Sequence, residues 1–313
     1  MVNHFSPASD RYPLVARAAV PSSSASVRSR YPSAPAGLRV LRAGFSALHR
    51  VAPELAFRAA WQLFTTPRSP APKAWEVDAL ASARPAHVAF RTGALAVYEW
   101  GPATGPAVLL VHGWEHRATF WGRFAVAVAA AGYRVVAFDG PAHGTSPGRQ
   151  TNLVDFATAV QTVVDWVGPV HAVVAHSFGA AATTALPTKF NGGGILPRLV
   201  LMAAPGSIRA VAERFAALLK LPSAVVTRME RHIRERFGRD PDGFSLVYAG
   251  PRLAVGRALL LHDRHDELVP FAEAETVAAA WPAVRFEPTT GLGHNQIMRD
   301  PGVIARVVAF LAD

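Results

Sequence analysis

HAVVAHSFGAAATTAL, residues 171–186, holds a strand, a sharp turn and a helix in one short run. Its first five residues are an apolar run of the kind that a strand buried on both faces of a parallel sheet shows. From Gly179 onward the small, alanine-rich segment reads as a helix. Ser177 stands between them, with Ala175 two residues before it and Gly179 two residues after. A nucleophile on so sharp a strand-to-helix turn is held in strained backbone, with its oxygen raised clear of the sheet. Bulky side chains two positions to either side would collide with neighbouring backbone, which is why small residues are needed there.

Outward from this turn the same alternation repeats. AVLLV (107–111), RVVAF (134–138), RLVLM (198–202) and RALLL (257–261) are further short apolar runs. HVAF and LAVYEW around Arg91-Thr92-Gly93 predict a hairpin ahead of them. Helical patterns fall over 117–131, 153–167, 178–186, 271–281 and 301–312. Strands alternating with helices imply an α/β fold, a mostly parallel, doubly wound sheet that binds ligands at the carboxyl ends of its strands. Residues 205–256 interrupt the rhythm. There Val225, Met229, Ile233 and Phe237 recur every four residues among arginines, which predicts an amphipathic helix in a small lid over the strand ends.

Upstream the chain changes character twice. Residues 1–36 are rich in Ser, Pro, Ala and Arg without apolar periodicity, and read as a disordered or loosely ordered arm. In 37–85, Leu38, Leu41, Phe45, Leu48 and Ala52 follow a helical stripe. Pro53 interrupts it, and Leu55, Phe57, Trp61, Leu63 and Phe64 continue it. A helix pair packing on the core is the favoured reading, ahead of a membrane-surface or partner-binding helix.

Composition narrows the classes. No apolar run is long enough to span a bilayer. The absence of cysteine removes disulfides, thiolate metal sites and a cysteine nucleophile together. The net charge of +10 lies mostly in residues 1–75, where ten basic side chains face only Asp10 and Glu54. That excess is arginine more than lysine, and no nucleic-acid partner is expected. Without an apolar leader segment, the expected location is cytoplasmic.

A serine hydroxyl is a poor nucleophile until a base accepts its proton. His294, in Gly291-Leu292-Gly293-His294-Asn295, is the only histidine after His265, and its glycines free the loop to carry an imidazole over the strand ends. An acid must orient that imidazole, and the loop HDRHDELVP offers Asp263, Asp266 and Glu267.

Four motifs in this order resemble the α/β-hydrolase superfamily. They are Leu110-Val111-His112-Gly113-Trp114, the loop Phe138-Asp139-Gly140-Pro141-Ala142-His143-Gly144, the serine turn, and the pairing of Asp266…Val269-Pro270 with Gly293-His294. Ala175 departs from the usual first glycine of the serine turn. The resemblance implies an α/β-hydrolase domain over 86–313 with a cap insertion at about 205–256. It also implies a triad of Ser177, His294 and Asp266, the last standing four residues before Pro270, and leaves Asp263 as a turn residue. The backbone N–H groups of Trp114 and Phe178 are implied as the oxyanion hole, with Asp139 and His143 as structural residues. An aspartate nucleophile, as in the dehalogenases and epoxide hydrolases of the superfamily, is excluded by Ser177.

The expected activity is hydrolysis of small or medium acyl esters through an acyl-enzyme. Thioester, amide or carbon–carbon hydrolysis by the same triad is the alternative, and a non-catalytic binding protein of this fold is a third reading. Twelve histidines suggest a metal, but the pairs His112/His116 and His262/His265 lack a convergent third ligand, so no metal and no cofactor are expected.

Overall fold

A computed structural model describes residues 35–185 and 189–313; the arm predicted over 1–36 falls almost wholly outside them. Two helices come first, α1 (Ala36–Val51) and α2 (Pro53–Thr65). Pro53 occupies the first position of α2, where its missing N–H costs nothing and its fixed φ favours the turn. A short α3 (Ala74–Leu80), within the 37–85 segment read as helical but beyond the two helices picked out there, leads into the sheet.

Eight strands lie in the order β1-β2-β4-β3-β5-β6-β7-β8. They are β1 (Arg84–Phe90), β2 (Gly93–Trp100), β3 (Ala107–Val111), β4 (Arg134–Phe138), β5 (Val170–His176), β6 (Leu196–Met202), β7 (Val255–Asp263) and β8 (Val284–Thr289). The predicted hairpin is β1–β2. It joins β4 antiparallel, and every other pairing is parallel. β3 is buried at every position and β5 at all but His171, as their uninterrupted apolar runs require.

Around the sheet run α4 (Gly122–Ala130), α5 (Leu153–Val167) and α6 (Phe178–Ala185), then α7 (Ile208–Leu219), α8 (Ser223–Phe237) and α9 (Leu246–Ala249). After β7 follow α10 (Phe271–Ala280), α11 (Gly293–Gln296) and α12 (Pro301–Ala312). The helix predicted over 117–131 divides, because Ala118–Trp121 form a tighter 3-10 turn before α4. The α5 entry is capped by Asn152, whose side chain accepts from Val154 and Asp155 N–H.

After β3 the chain winds to β4 on one side and returns to β5 on the other. Such a reversal leaves a crevice beyond the carboxyl ends of the neighbouring strands, and Ser177 follows β5 at that point. The insertion between β6 and β7 is built chiefly of α7 and α8. The N-terminal pair packs mainly on this insertion: Phe45, Ala56, Phe57 and Ala60 share an apolar cluster with Leu219, Val225 and Met229. Two hydrogen bonds anchor the end of α2 to the main body, from Thr151 N–H to Thr65 O (2.8 Å) and from Gln150 Nε2 to Thr65 Oγ1 (3.1 Å).

Candidate active site

Ser177 adopts φ +51°, the left-handed region that a non-glycine residue rarely occupies. The turn is held from both sides: Ser177 N–H donates to Met202 O (2.9 Å), and Ala181 N–H returns to Ser177 O (3.1 Å). A Cβ on Gly179 would stand 2.3 Å from His112 O and 2.7 Å from Val111 O, so only glycine fits there. The other small position tolerates the methyl of Ala175, which is fully buried in the core beside β3.

The residues singled out in three distant loops meet at this turn. His294 Nε2 lies 2.9 Å from Ser177 Oγ, and His294 Nδ1 lies 2.7 Å from Asp266 Oδ2. An ionised carboxylate only accepts, so the proton sits on Nδ1 and leaves Nε2 free to accept from the serine hydroxyl. Asp266 Oδ1 takes the N–H groups of Leu268 (2.9 Å) and Val269 (2.8 Å). Burial alone would raise this carboxyl's pKa. The hydrogen bond and charge of His294, with the two amides, outweigh burial and hold it below the usual carboxylate value.

Gly113 brings the β3 loop against the serine turn; a Cβ there would lie 3.1 Å from Ser177 Cβ. Trp114 follows directly, and its ring meets that of Phe178 edge-on with centroids 5.0 Å apart. Among the described residues, neither the Trp114 nor the Phe178 N–H donates to a turn or loop carbonyl. Asp139 gathers Ala118 N–H (2.8 Å) and Thr145 N–H (2.8 Å), tying the β4 loop to the segment after β3.

Asp263 differs from the simple turn position expected of it. It is fully buried, with Oδ1 accepting from His265 N–H (2.9 Å) and Oδ2 from Thr289 Oγ1 (2.8 Å) and Leu292 N–H (3.0 Å). It therefore binds the acid loop to the loop that carries His294. Two more supports escaped sequence reasoning. His176 Nε2–H donates to His294 O (2.8 Å), and His262 Nε2–H donates to Val269 O (2.9 Å) while lying 3.4 Å from Asp266 Oδ2. Their adjacency to Ser177 and Asp263 was the one available signal.

The histidines near the site serve packing and backbone, and among the described residues no group of three or more His, Asp or Glu could hold a metal ion. His112 donates from Nδ1 to Gly113 O (2.7 Å) and accepts at Nε2 from Gly140 N–H (2.9 Å), a pattern only the neutral ring can make. Burial, aided by neighbouring positive groups, pushes His116 down to about 3 and drives His112 and His176 well below the ordinary histidine value. Burial likewise lowers His143 to about 4, against the opposing hydrogen bond to Pro141 O.

These shifts fix a pH dependence. The unfolded chain binds protons at these four positions below pH ~6.5, whereas the native protein does not until far lower. Stability is therefore full above that value and falls as the medium is acidified towards pH ~4, each histidine adding a slope of up to about 1.4 kcal/mol per pH unit. Asp266, held low in the fold, adds its loss only further down, below about pH 4. Urea midpoints measured from neutral pH to pH ~4 are expected to drop steeply, and a flat profile would contradict the assignment of buried neutral rings.

Comparison with known proteins agrees with this architecture. The chain is similar to an esterase of Pyrococcus furiosus, at 20% identity and TM-score 0.58, covering 79% of this chain and 98% of that one. It is also similar to a thioesterase domain from the curacin biosynthetic pathway, at 19% identity and TM-score 0.53, over 74% and 99% of the two chains. In sequence it is 31% identical over 115 residues to a non-heme chloroperoxidase of Streptomyces lividans. That match spans 35% of this chain and 36% of the chloroperoxidase. Residues 108–307 match the model of the alpha/beta hydrolase family, and the chain belongs to that family.

Proposed function

We propose that this protein is a serine hydrolase of carboxylic esters, with Ser177 as nucleophile, His294 as base and Asp266 as orienting acid. The observation that carries the reading is the unbroken hydrogen-bonded line Asp266 Oδ2–His294–Ser177 Oγ at 2.7 and 2.9 Å. Ser177 Oγ attacks the ester carbonyl carbon while His294 Nε2 takes its proton. The N–H groups of Trp114 and Phe178 receive the oxyanion of the tetrahedral intermediate. Phe178 opens α6, whose amino-terminal dipole favours the same negative charge. The intermediate collapses as His294 returns the proton to the departing alcohol, leaving an acyl-enzyme. Water, deprotonated by His294, then attacks the acyl carbon and releases the acid and free Ser177.

The insertion between β6 and β7 is short, and the rings of Trp114 and Phe178, beside the proposed oxyanion hole, pack on each other, which supports small or medium acyl groups. Among p-nitrophenyl esters, kcat/KM is expected to be at least ~10-fold higher for acetate or butyrate than for palmitate, a difference of about 1.4 kcal/mol in transition-state binding. Preference for the long chain would contradict the size reading. Thioester and amide analogues in the same panel separate ester hydrolysis from its alternatives. The likeness to a chloroperoxidase supports a second reading, acyl transfer to hydrogen peroxide in place of water, detected as peroxide-dependent peracid formation from a short acid.

A further inference from the structure

We infer that the outer face of α1 and the start of α2 dock on an anionic lipid surface. Of eleven large apolar side chains exposed among the described residues, five stand on these two helices. Val40, Gly44, Ala47 and Val51 lie at steps of four, three and four, which places them in one stripe along α1. Val40 is 72% and Val51 81% exposed, and Leu55, just beyond the Pro53 turn, is 54% exposed. A Cβ on Gly44 would meet nothing within 4 Å. A different face of α1 is committed to packing, through Leu38, Phe45 and Leu48 against the insertion. The stripe is thus surplus to the fold.

Its charge selects the occupant. Arg39 and Arg50 lie eleven residues apart along one edge of the stripe, and among the described residues neither meets a carboxylate. Arg42 spends its guanidinium on Leu218 O (2.9 Å). Glu54, the one acidic residue of the two helices, is engaged by Arg58 (3.7 Å) and Arg228 (3.5 Å). An apolar stripe edged by uncompensated arginines matches the acyl and headgroup layers of a membrane carrying negative lipids, where long basic side chains reach the phosphates. No described helix is long and apolar enough to cross the bilayer, so the contact is one of surface attachment.

The test is flotation of the full chain with vesicles of phosphatidylcholine alone or mixed with phosphatidylglycerol. Binding is expected to be roughly tenfold or more tighter to the anionic vesicles and to weaken with added salt. Arg39→Gln with Arg50→Gln should remove the anionic preference, and Val40→Asp with Val51→Asp should abolish binding, both without change in hydrolysis of a soluble ester. Vesicle binding is read without turnover, so this result stands apart from the Ser177 assignment. Absence of binding by the full chain, as coverage of the stripe by residues 1–34 would produce, overturns the inference. So does a dimer in sedimentation that Val40→Asp dissociates, which would make the stripe a contact between copies.

Discussion

Replacing Ser177 by alanine is expected to lower kcat for a good ester substrate by a factor on the order of 10⁴ to 10⁶ while leaving the fold intact. Among the described residues the hydroxyl makes one hydrogen bond, to His294 Nε2, and His294 remains held by Asp266 through Nδ1 and by its own backbone O to His176. The turn itself is secured by backbone bonds to Met202 and Ala181 that alanine keeps. The left-handed φ of 51° is unfavourable for serine and alanine alike, so the exchange adds no new backbone strain. What disappears is the atom proposed to form the acyl bond. Rates measured beside a thermal melt are the check, and a variant within about tenfold of wild type would remove Ser177 from the chemistry.

The second large effect separates the two aspartates of the β7 loop. In Asp266→Asn the amide oxygen can still accept from Leu268 and Val269 N–H, so the loop keeps its shape. The amide nitrogen then faces His294 Nδ1 and donates to it. The imidazole proton is forced onto Nε2, towards Ser177, where a base is needed. Loss of kcat on the order of 10⁴ with little change in melting follows. Asp263→Asn places an NH₂ group among the donors from His265, Thr289 and Leu292. A buried mismatch of that kind costs about 1–3 kcal/mol and shows chiefly in stability. The expected pattern is therefore an inactive, stable Asp266 variant and an active, less stable Asp263 variant, read by kcat and urea midpoint together. The reversed pattern would make Asp263 the acid.

The contrast between these residues marks where sequence reading reached its end. β3, β4, β5, β6 and β7 were legible because burial on both faces leaves apolar runs with little to confuse them. β8 was missed because it is an edge strand whose Arg285, Glu287 and Pro288 break any run. α7 was overlooked although Ile208, Val211, Phe215 and Leu219 recur at helical spacing, with Arg209, Glu213 and Arg214 on the other face. The seating of α1 and α2 on the insertion depends on two apolar faces some 170 residues apart in the chain finding each other, as the Arg42–Leu218 bond illustrates, and neither face names its partner. At the site, turn chemistry pointed to Ser177 and His294, and the resemblance of the Asp266…Pro270 spacing to the family pattern pointed to Asp266; these are the side chains that meet. The roles of Asp263, His176 and His262 were not legible, because each acts through backbone groups of another loop, and backbone groups leave no mark in a sequence.

Reaction of the native protein with a fluorophosphonate, followed by mapping of the adduct, tests the Ser177–His294–Asp266 assignment. An activated serine attacks phosphorus and displaces fluoride, whereas ordinary surface serines do not. The structure predicts one adduct per chain, on the peptide that contains Ser177, lost in Ser177→Ala and strongly slowed in Asp266→Asn. A folded protein that takes up no label, or takes it up at another residue, would contradict the triad.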